Sequence, residues 1–372
     1  MSTYLIEIVL VFLLWQTRKY KVKMLEKRVS GRIFYLCCCF LMFGMTMALR
    51  KYTIGTDTST YYKMYQDIAH SSSLEQALNV SQIQSALVYV GLHYCITRVI
   101  YFPQLGMFLN SLIISVGFFV FIKGKSKDYL LSCVLFIGLT LFYESMNGTR
   151  QFMAIALAIN AFSILEKNKK NWMGWLLFAL AVGIHNTIIA FAISYLGVAI
   201  VKYCKNIRKI HVVSTVVSVC MAMFFTVGVR VVVKFFPYYE MYVNGRNPVQ
   251  IFSTSGKGRI AVLYLALYAI LTIGVLLAKT RTINSEMKAY HFGCTFCTVI
   301  GTIFSKNVLM CRMLWSFLTL LVVYIPDLLK QCSNIKIRRL LYQTSMYLPL
   351  AYSMIHLVED KSGIVPYVLF WR

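Results

Sequence analysis

The chain has 372 residues, of which 59% are hydrophobic and 14% are charged. A soluble protein carries about 25% charged residues, so this composition excludes a soluble globular domain and indicates an integral membrane protein with runs that cross a bilayer core about 30 Å thick. The net charge is +25, but the cations lie mainly in short loops between apolar runs, as the positive-inside rule describes. Nucleic acid is therefore not predicted as a partner.

Apolar runs along the chain predict an all-α, polytopic protein with about 12 transmembrane helices. The stretch 172–201 would form a helix longer than the bilayer is thick, at about 1.5 Å per residue. We therefore divide it at His185-Asn186 into two short helices. The predicted runs lie at about 3–16, 33–49, 105–122, 129–146, 151–165, 172–184, 186–201, 210–233, 259–278, 289–305, 308–329 and 340–358.

Basic loops indicate the orientation of these helices. Placing the lysine- and arginine-rich loop 17–32 in the cytoplasm puts most of the 38 Lys and Arg residues on that side. Without the division of the long run, the basic loop 202–211 would lie outside and weaken this bias. The prediction is one transmembrane domain over 1–372 with both termini outside, a first outer region at 50–104 and a second large outer loop at 234–258.

Segment 82–100 breaks the alternation, since a span here would put the basic loop 123–128 outside. As a helix, the segment carries one apolar stripe with polar side chains beside it. The stripe is formed by Ile83, Leu87, Val90 and Tyr94, and Gln82, Ser85 and His93 lie off it. We predict a helix that lies at the outer surface or re-enters the membrane.

No motif for a nucleotide, a metal or another cofactor is present. The sequence lacks the glycine patterns of nucleotide-binding loops. Most of the 11 cysteines lie inside apolar runs, where cysteine behaves as a small hydrophobe. Cys294 and Cys297 form a CxxC pair, but no second pair or suitably spaced histidine follows. We predict no cofactor, no metal and no disulfide framework.

Cations on the outer side run against the positive-inside rule and need another explanation. Arg50 ends one run, Arg150 begins another in the stretch NGTRQ, and Arg312 lies near the start of a third. Guanidinium groups bind phosphate oxygens in a planar, bidentate way and keep their charge. These three are predicted to hold a lipid-borne diphosphate, with Arg246 and Arg259 as further candidates. The alternative is that the arginines extend to lipid headgroups.

Asp57 lies in the stretch GTDTST of the first outer region, where acids are scarce. It either begins a helix as an N-cap whose carboxylate accepts backbone N–H bonds, or it deprotonates a sugar hydroxyl as a general base. Tyr61 and Tyr62 follow, and their rings and hydroxyls suit contact with a sugar. Gln151, next to Arg150, is a further candidate sugar ligand. The stretch NGT at 147–149 also matches a glycosylation acceptor, a pattern that is common by chance.

His185 is the only one of the six histidines at a break between two apolar half-runs. Broken membrane helices are tolerated where they are buried in protein or line a wet cavity, and imidazole exchanges protons near neutral pH. We predict that His185 is an alternative base or a second hydrogen-bonding group at the site. The other reading is that it bonds the backbone groups freed by the break.

Four stretches together carry a resemblance to a known family. Arg50 is followed by GTDT and a pair of tyrosines, and HN at 185–186 lies between half-helices. The others are NGTRQFMAIALAI at 147–159 and CRMLWSFLTLLVVYIPDLL, which contains Arg312. In this order and spacing, over about 50–330, the chain resembles the EpsG family of Wzy-like polysaccharide polymerases.

The resemblance implies a bacterial plasma-membrane enzyme with a GT-C-like fold, which makes capsule, exopolysaccharide or O-antigen. Its donor and acceptor would be oligosaccharide units on undecaprenyl diphosphate. The growing chain would pass to the non-reducing end of a new unit on the outer face, with a chain-length regulator as a further candidate partner. The rivals are another lipid-donor glycosyltransferase or ligase, and a transporter of lipid-linked glycans.

The resemblance also suggests a role for each candidate residue. Arg50, Arg150 and Arg312 would hold the diphosphate and stabilise its charge as it leaves. Asp57 would be the base and His185 its alternative. The sugar path would be lined by Tyr61, Tyr62 and Gln151. Since outer acids are few in this chain, the arginines alone would neutralise the diphosphate, without a metal.

Overall fold

The computed structural model describes residues 1–24, 27–80, 86–224, 258–279, 285–305 and 308–372. This part of the chain is helical apart from one short hairpin, which confirms the all-α prediction. Apart from residue 258, the predicted outer loop at 234–258, with Arg246, lies outside the described residues. Gln82, Ile83 and Ser85 also lie outside them.

Among the described residues, most helices follow one another through short connections. In the N-terminal half the elements are α1 (Ser2–Leu14), a 3₁₀ helix (Trp15–Lys19), β1 (Lys21–Met24), β2 (Lys27–Ser30), α2 (Gly31–Leu49), α3 (Thr58–His70), α4 (Leu74–Val80), α5 (Leu87–Val99), α6 (Leu105–Lys125), α7 (Tyr129–Gly138) and α8 (Leu141–Asn147). In the C-terminal half they are α9 (Thr149–Leu165), α10 (Trp172–Ile184), a 3₁₀ helix (Asn186–Ser194), α11 (Tyr195–Tyr203), α12 (Ile207–Met223), α13 (Arg259–Leu277), α14 (Ser285–Ile303), α15 (Val308–Gln331) and α16 (Ile335–Glu359). The two strands pair antiparallel, with Lys21 opposite Ser30.

Two compact units are formed by this chain. The first contains Met1–Ile189 and Pro349–Arg372, and the second contains Ala190–Leu348. Asp57, Arg150 and His185 therefore belong to the same unit, whereas Arg312 belongs to the other.

Every predicted apolar run coincides with one or two helices of the described chain, except that the end of run 210–233 is not described. Among the described residues, five helices are long and apolar enough to cross a membrane. They become six if α7 and α8, which meet at a bend of 50°, form one broken span. The chain is thus an integral membrane protein, and the figure of 12 spans stays a prediction.

Close contacts between small residues join α2, α6 and α9 in the first unit. A Cβ atom at Gly44 of α2 would lie 2.7 Å from Oγ of Ser115 on α6. A Cβ atom at Gly117 of α6 would lie 2.7 Å from Cβ of Ala156 on α9. Asn160 of α9 also donates to the carbonyl oxygen of Gly117 at 2.9 Å. Small residues allow membrane helices to approach this closely, and the packing holds the start of α9 beside the end of α2.

α9 and α10 form an antiparallel hairpin that determines which residues of α9 lie beside His185. Near the connection, a Cβ atom at Gly174 of α10 would lie 2.6 Å from Cγ of Leu165 on α9. Counting equal numbers of residues from this contact puts His185 level with Ala154. Arg150 lies four residues further along α9, which corresponds to about 6 Å of helix. The hairpin therefore brings the end of α10 close to the start of α9.

A break at His185 ends α10, as predicted. The backbone of His185 is extended (φ −149°, ψ 106°), and a 3₁₀ helix follows instead of a continued α-helix. The C-terminal half-run is thus a 3₁₀ helix followed by α11, where the sequence predicted one short helix. The division of run 172–201 is confirmed.

A buried chain of hydrogen bonds crosses the second unit. Nδ1 of His291 lies 2.8 Å from the hydroxyl of Tyr324, and its Nε2 lies 3.0 Å from Nδ1 of His211. Nε2 of His211 lies 3.1 Å from Oγ1 of Thr272, which donates its own hydrogen to the Tyr268 carbonyl at 2.9 Å. The four groups come from α12, α13, α14 and α15, so this hydrogen-bond network joins four helices.

The direction of each hydrogen bond follows from the last one. Because Thr272 donates to a carbonyl, its oxygen must accept from Nε2–H of His211. Nδ1 of His211 then accepts from Nε2–H of His291, whose Nδ1 accepts from Tyr324. Each nitrogen of the two imidazoles has a partner in this arrangement. The network satisfies polar groups that would be costly to leave unpaired among membrane helices.

Replacing His291 with leucine should lower stability, because it leaves the Tyr324 hydroxyl and Nδ1 of His211 without this partner. We expect a loss of about 1–3 kcal/mol and a lower midpoint of thermal unfolding in detergent. His70→Leu is the matched control, since His70 is exposed and bonds only the Gln66 carbonyl. A midpoint for His291→Leu equal to that of the control would contradict a stabilising role for the network.

Candidate functional site

The polar loop after α2 is docked on the junction between α8 and α9. The amide N–H of Asp57 donates to Oδ1 of Asn147 at 2.9 Å, and the Thr56 hydroxyl donates to the same oxygen at 2.8 Å. The Thr58 hydroxyl donates to the carbonyl oxygen of Met146 at 3.1 Å. The loop can approach this closely because Gly55 has a φ of +97°, which favours glycine. The loop that carries Asp57 is thus held against the stretch NGTR, which carries Arg150.

Arg50 lies beneath this loop and is 1% exposed. Its Nη1 donates to the Met47 carbonyl, and its Nη2 donates to the Met146 carbonyl at 2.8 Å and to Oγ1 of Thr149 at 3.2 Å. Burial lowers the pKa of Arg50 to about 10, so the guanidinium still carries its charge at neutral pH. These contacts join the end of α2 to the start of α9. They use the two terminal nitrogens, whereas the buried Nε makes no hydrogen bond with a described residue, and binding of a diphosphate by Arg50 stays a prediction.

A C-terminal strap, residues 360–370, holds the other side of the loop. The amide N–H groups of Gly55 and Thr56 donate to the carbonyl oxygens of Gly363 and Ser362 at 2.7 and 3.2 Å. Further along, Lys51 N–H donates to the Val368 carbonyl at 2.8 Å. The Ser362 hydroxyl is anchored in turn by Glu144 and His356, at 3.2 and 2.8 Å. The loop is therefore fixed from two sides.

Asp57 occupies the N-cap position of α3, as the sequence predicted. Its carboxylate, however, makes no capping hydrogen bond to the first turn of that helix. The side chain is half-buried, and Oδ1 lies 3.3 Å from the Thr56 hydroxyl. Capping by the side chain thus does not account for an aspartate at this position.

Arg150 presents buried donors that no described residue accepts. Nε and Nη1 of its guanidinium are buried and make no hydrogen bond. Arg150 is the second residue of α9, whose N-cap, Gly148, offers no capping side chain. The first backbone N–H groups of a helix lack partners within the helix and carry a partial positive charge. Two kinds of donor at the start of α9 therefore suit an anion.

Tyr89 of α5 connects Arg150 to the helices of the outer region. Burial raises the pKa of Tyr89 to about 12; the neighbouring Tyr61 adds to this increase, and the Arg150 guanidinium opposes it. Next to Tyr89, Cγ2 of Val88 would lie 2.4 Å from a Cβ atom at Gly183, two residues before His185. The first turn of α5 is therefore close to Arg150, to Tyr61 and to the end of α10.

Short helices α3, α4 and α5 lie in the segment 50–104, which the sequence predicts as the first outer region. α5 lies within the predicted segment 82–100, but its buried face differs from the predicted stripe: Leu87 is 56% exposed, whereas His93 is fully buried. Nε2 of His93 lies 3.0 Å from Oδ1 of Asn110 on α6. This hydrogen bond offsets part of the free-energy cost of burying the imidazole. The side of α5 that packs against the protein thus contains His93, and the apolar stripe at the membrane surface stays a prediction.

Aromatic side chains of α3 divide into a buried and a partly exposed group. Tyr62 stacks on Tyr52 with ring centroids 5.0 Å apart, and both Tyr61 and Tyr62 are half-buried. Tyr65 is 2% exposed and stacks on Tyr101 at 5.9 Å. Gln151 is 7% exposed. Of these three tyrosines of α3, Tyr61 and Tyr62 have surface left for a ligand. A sugar-binding role for these two and for Gln151 stays a prediction.

His185 is half-buried at the end of α10. Its Nδ1 lies 2.7 Å from Oγ1 of Thr187, at the start of the 3₁₀ helix. This contact is with a side chain of the break and leaves Nε2 as the ring nitrogen that points away from Thr187. A role for His185 as a base stays a prediction.

The remaining predicted arginines lie outside the first unit. The Arg312 guanidinium is on α15, 5.8 Å from the centroid of the Trp315 ring. Arg259 is the first residue of α13 and is exposed. Arg246 lies outside the described residues. Among the residues that the structure describes, no group of three or more His, Cys, Asp or Glu side chains is arranged to hold a metal ion.

A family model for the EpsG family matches residues 33–369, nearly the whole chain. The chain belongs to the EpsG family. EpsG proteins are Wzy-like polysaccharide polymerases, so the chain is a glycosyltransferase-like polymerase of the membrane. No curated protein and no solved structure matches it.

Sequence reasoning missed Asn147 and the C-terminal strap. Asn147 is 4% exposed and accepts two hydrogen bonds, so it holds the Asp57 loop and is not an accessible acceptor for a glycan. Its position directly before Gly148 and Arg150 was the one available signal. The strap had no signal, because its contacts with the loop are made by backbone atoms.

Proposed function

We propose that this protein polymerises oligosaccharide repeat units carried on a polyprenyl diphosphate, with undecaprenyl diphosphate as the expected carrier. The reaction takes place on the outer face of the bacterial plasma membrane. The growing chain is transferred from its lipid to the non-reducing-end hydroxyl of an acceptor unit. The products are polymers of the capsule, exopolysaccharide or O-antigen class.

The observation that carries this proposal is the pair of buried, unpartnered nitrogens on Arg150. An arginine with free donors at an uncapped helix start suits phosphate oxygens, both by bidentate hydrogen bonding and by charge. The Asp57 loop is docked three residues away, at Asn147. An anion site and a carboxylate in one polar region are the two groups that transfer from a lipid diphosphate requires.

The proposed reaction is a displacement at the anomeric carbon of the donor. Asp57 takes the proton of the acceptor hydroxyl, whose oxygen forms the new bond to that carbon. The bond from the carbon to the diphosphate oxygen breaks, and polyprenyl diphosphate leaves with the electron pair. Arg150 and the first N–H groups of α9 stabilise the negative charge that develops there.

Other predicted residues take supporting roles in this proposal. Arg50 holds the start of α9 through its Nη2, and it is a further candidate for contact with the diphosphate. Arg312, the other diphosphate ligand that the sequence predicts, stays a prediction. His185 is the alternative base, and Tyr61, Tyr62 and Gln151 contact sugar.

The test is an incubation of the purified protein in detergent with one lipid-linked repeat unit, followed by a gel of the products. A ladder of repeat lengths is expected, and the same ladder is expected in EDTA because no metal is required. A single elongated product would indicate a ligase or a single-unit transferase. An unchanged unit would contradict the proposed function.

A further inference from the structure

Asn147 holds the Asp57 loop through one oxygen atom. Its Oδ1 accepts from the Asp57 amide N–H and from the Thr56 hydroxyl. Because both partners are donors, the side-chain amide cannot be rotated by 180°, which would place its NH₂ against the Asp57 N–H. The orientation of the Asn147 side chain is therefore determined, and its NH₂ points away from the loop.

The position of Asn147 in the chain gives this contact its importance. Asn147 ends α8, and Arg150 lies in the first turn of α9, three residues later. The stretch between them is immobilised, because the Met146 carbonyl accepts from Arg50 and Thr58, and Gly148 N–H donates to the Glu144 carbonyl at 2.7 Å. The distance between the Asp57 loop and the Arg150 guanidinium therefore depends on Asn147.

We propose that Asn147 is a positioning residue for glycosyl transfer, which sets the Asp57 carboxylate at the correct distance from the diphosphate bound by Arg150. This inference rests on the proposed polymerase function. Catalysis that uses a base and a leaving-group site is sensitive to displacements of about 1 Å. Without the Asn147 side chain, the loop keeps its contacts with the strap and the Thr58 contact with the Met146 carbonyl. It loses both hydrogen bonds to the last residue of α8, three residues before Arg150.

Two substitutions separate positioning from simple stabilisation. Asn147→Ala removes both hydrogen bonds and should lower the polymerisation rate about 10- to 100-fold at all pH values. Asn147→Asp keeps an oxygen for both donors, so the loop stays in place, but it adds a negative charge beside Asp57. A carboxylate next to another negative charge ionises at higher pH. The acid side of its pH–rate profile should move up by about one pH unit, with activity recovered in alkaline buffer.

Other charges around the loop are common to both variants. The loop and the elements packed against it carry many charged and titratable groups. They are Arg50, Lys51, Tyr52, Tyr61, Tyr62, Lys63, Tyr65, Asp67, His70, Tyr89, Tyr143, Glu144, Arg150, His356, Glu359, Asp360, Lys361 and Tyr367. None of them is altered, so a difference between the two profiles reports the new charge at position 147.

Asn171 provides the matched control. Its Oδ1 also accepts two hydrogen bonds, from Met173 and Gly174 N–H at 3.0 and 3.3 Å, but at the other end of the α9–α10 hairpin. Asn171→Ala and Asn171→Asp should keep the wild-type profile.

Three outcomes would overturn the inference about Asn147. The first is a wild-type polymerisation rate for Asn147→Ala, and the second is a wild-type pH–rate profile for Asn147→Asp. The third is an equal loss of rate in both variants at every pH, together with a lower midpoint of thermal unfolding for both. If Asn147→Ala does not fold, the Asn147→Asp profile decides alone. If the wild-type protein makes no polymer, the proposed function is refuted. If the wild-type protein makes polymer and Asn147→Ala does so at the same rate, only the inference about Asn147 is refuted.

Discussion

Replacing Arg150 with alanine should abolish long polymer while the protein still inserts into the membrane. Nε and Nη1 of the Arg150 guanidinium make no hydrogen bond with any described residue, so their removal breaks no hydrogen bond within the described protein. What is lost is stabilisation of the charge on the leaving diphosphate, and removal of one such group costs about 10²- to 10³-fold in rate. The measurement is the rate of ladder formation by purified protein in detergent.

Control variants for Arg150 separate charge from geometry. Arg150→Lys keeps the positive charge but loses the planar pair of donors, so intermediate activity is expected. Lys63→Ala removes an exposed cation of the same outer region and should keep the wild-type rate. Arg312→Ala should also abolish long polymer if the second unit supplies a guanidinium. Normal ladders from Arg150→Ala and Arg312→Ala would refute the diphosphate role of both arginines.

Asp57→Asn should stop transfer and leave binding of the lipid-linked donor intact. The contact of position 57 with Asn147 uses the backbone N–H, so the substitution keeps the loop docked and removes only the ability of the side chain to take a proton. Loss of a general base costs about 10²- to 10⁴-fold. The measurements are the rate of ladder formation and, separately, the affinity for the donor.

A second aspartate on α3 serves as the control for this prediction. Asp67→Asn makes the same chemical change in the same helix, away from Asn147, and should keep the wild-type rate. His185→Ala tests the alternative base. If Asp57→Asn polymerises normally and His185→Ala does not, the role of base belongs to His185.

Local features of the site could be predicted from the sequence. The N-cap position of Asp57 follows from GTDTST, and the break at His185 follows from the length of run 172–201 and the polarity of His185-Asn186. Arg150 was recognised because a cation at an outer helix end needs an explanation. Each of these conclusions depends on residues that are close together in the sequence.

Features that depend on distant residues could not be predicted. The burial of His93 depends on Asn110, which lies on another helix and supplies its hydrogen-bond partner. The burial of Arg50 depends on the Met146 carbonyl and on Thr149, about a hundred positions away. The role of Asn147 depends on two donors of the Asp57 loop. A pattern of apolar and charged residues contains no information about such partners.

The central claim is that one bond between a sugar and polyprenyl diphosphate is broken for each new glycosidic bond that is formed. The most direct test counts the lipid released per bond formed, with purified protein and a repeat unit labelled in both its lipid and its sugar. The account predicts one polyprenyl diphosphate per new bond, released intact, and neither bond formation nor lipid release with Arg150→Ala. Two results would contradict it: polymer formed without release of polyprenyl diphosphate, or release of polyprenyl monophosphate in its place.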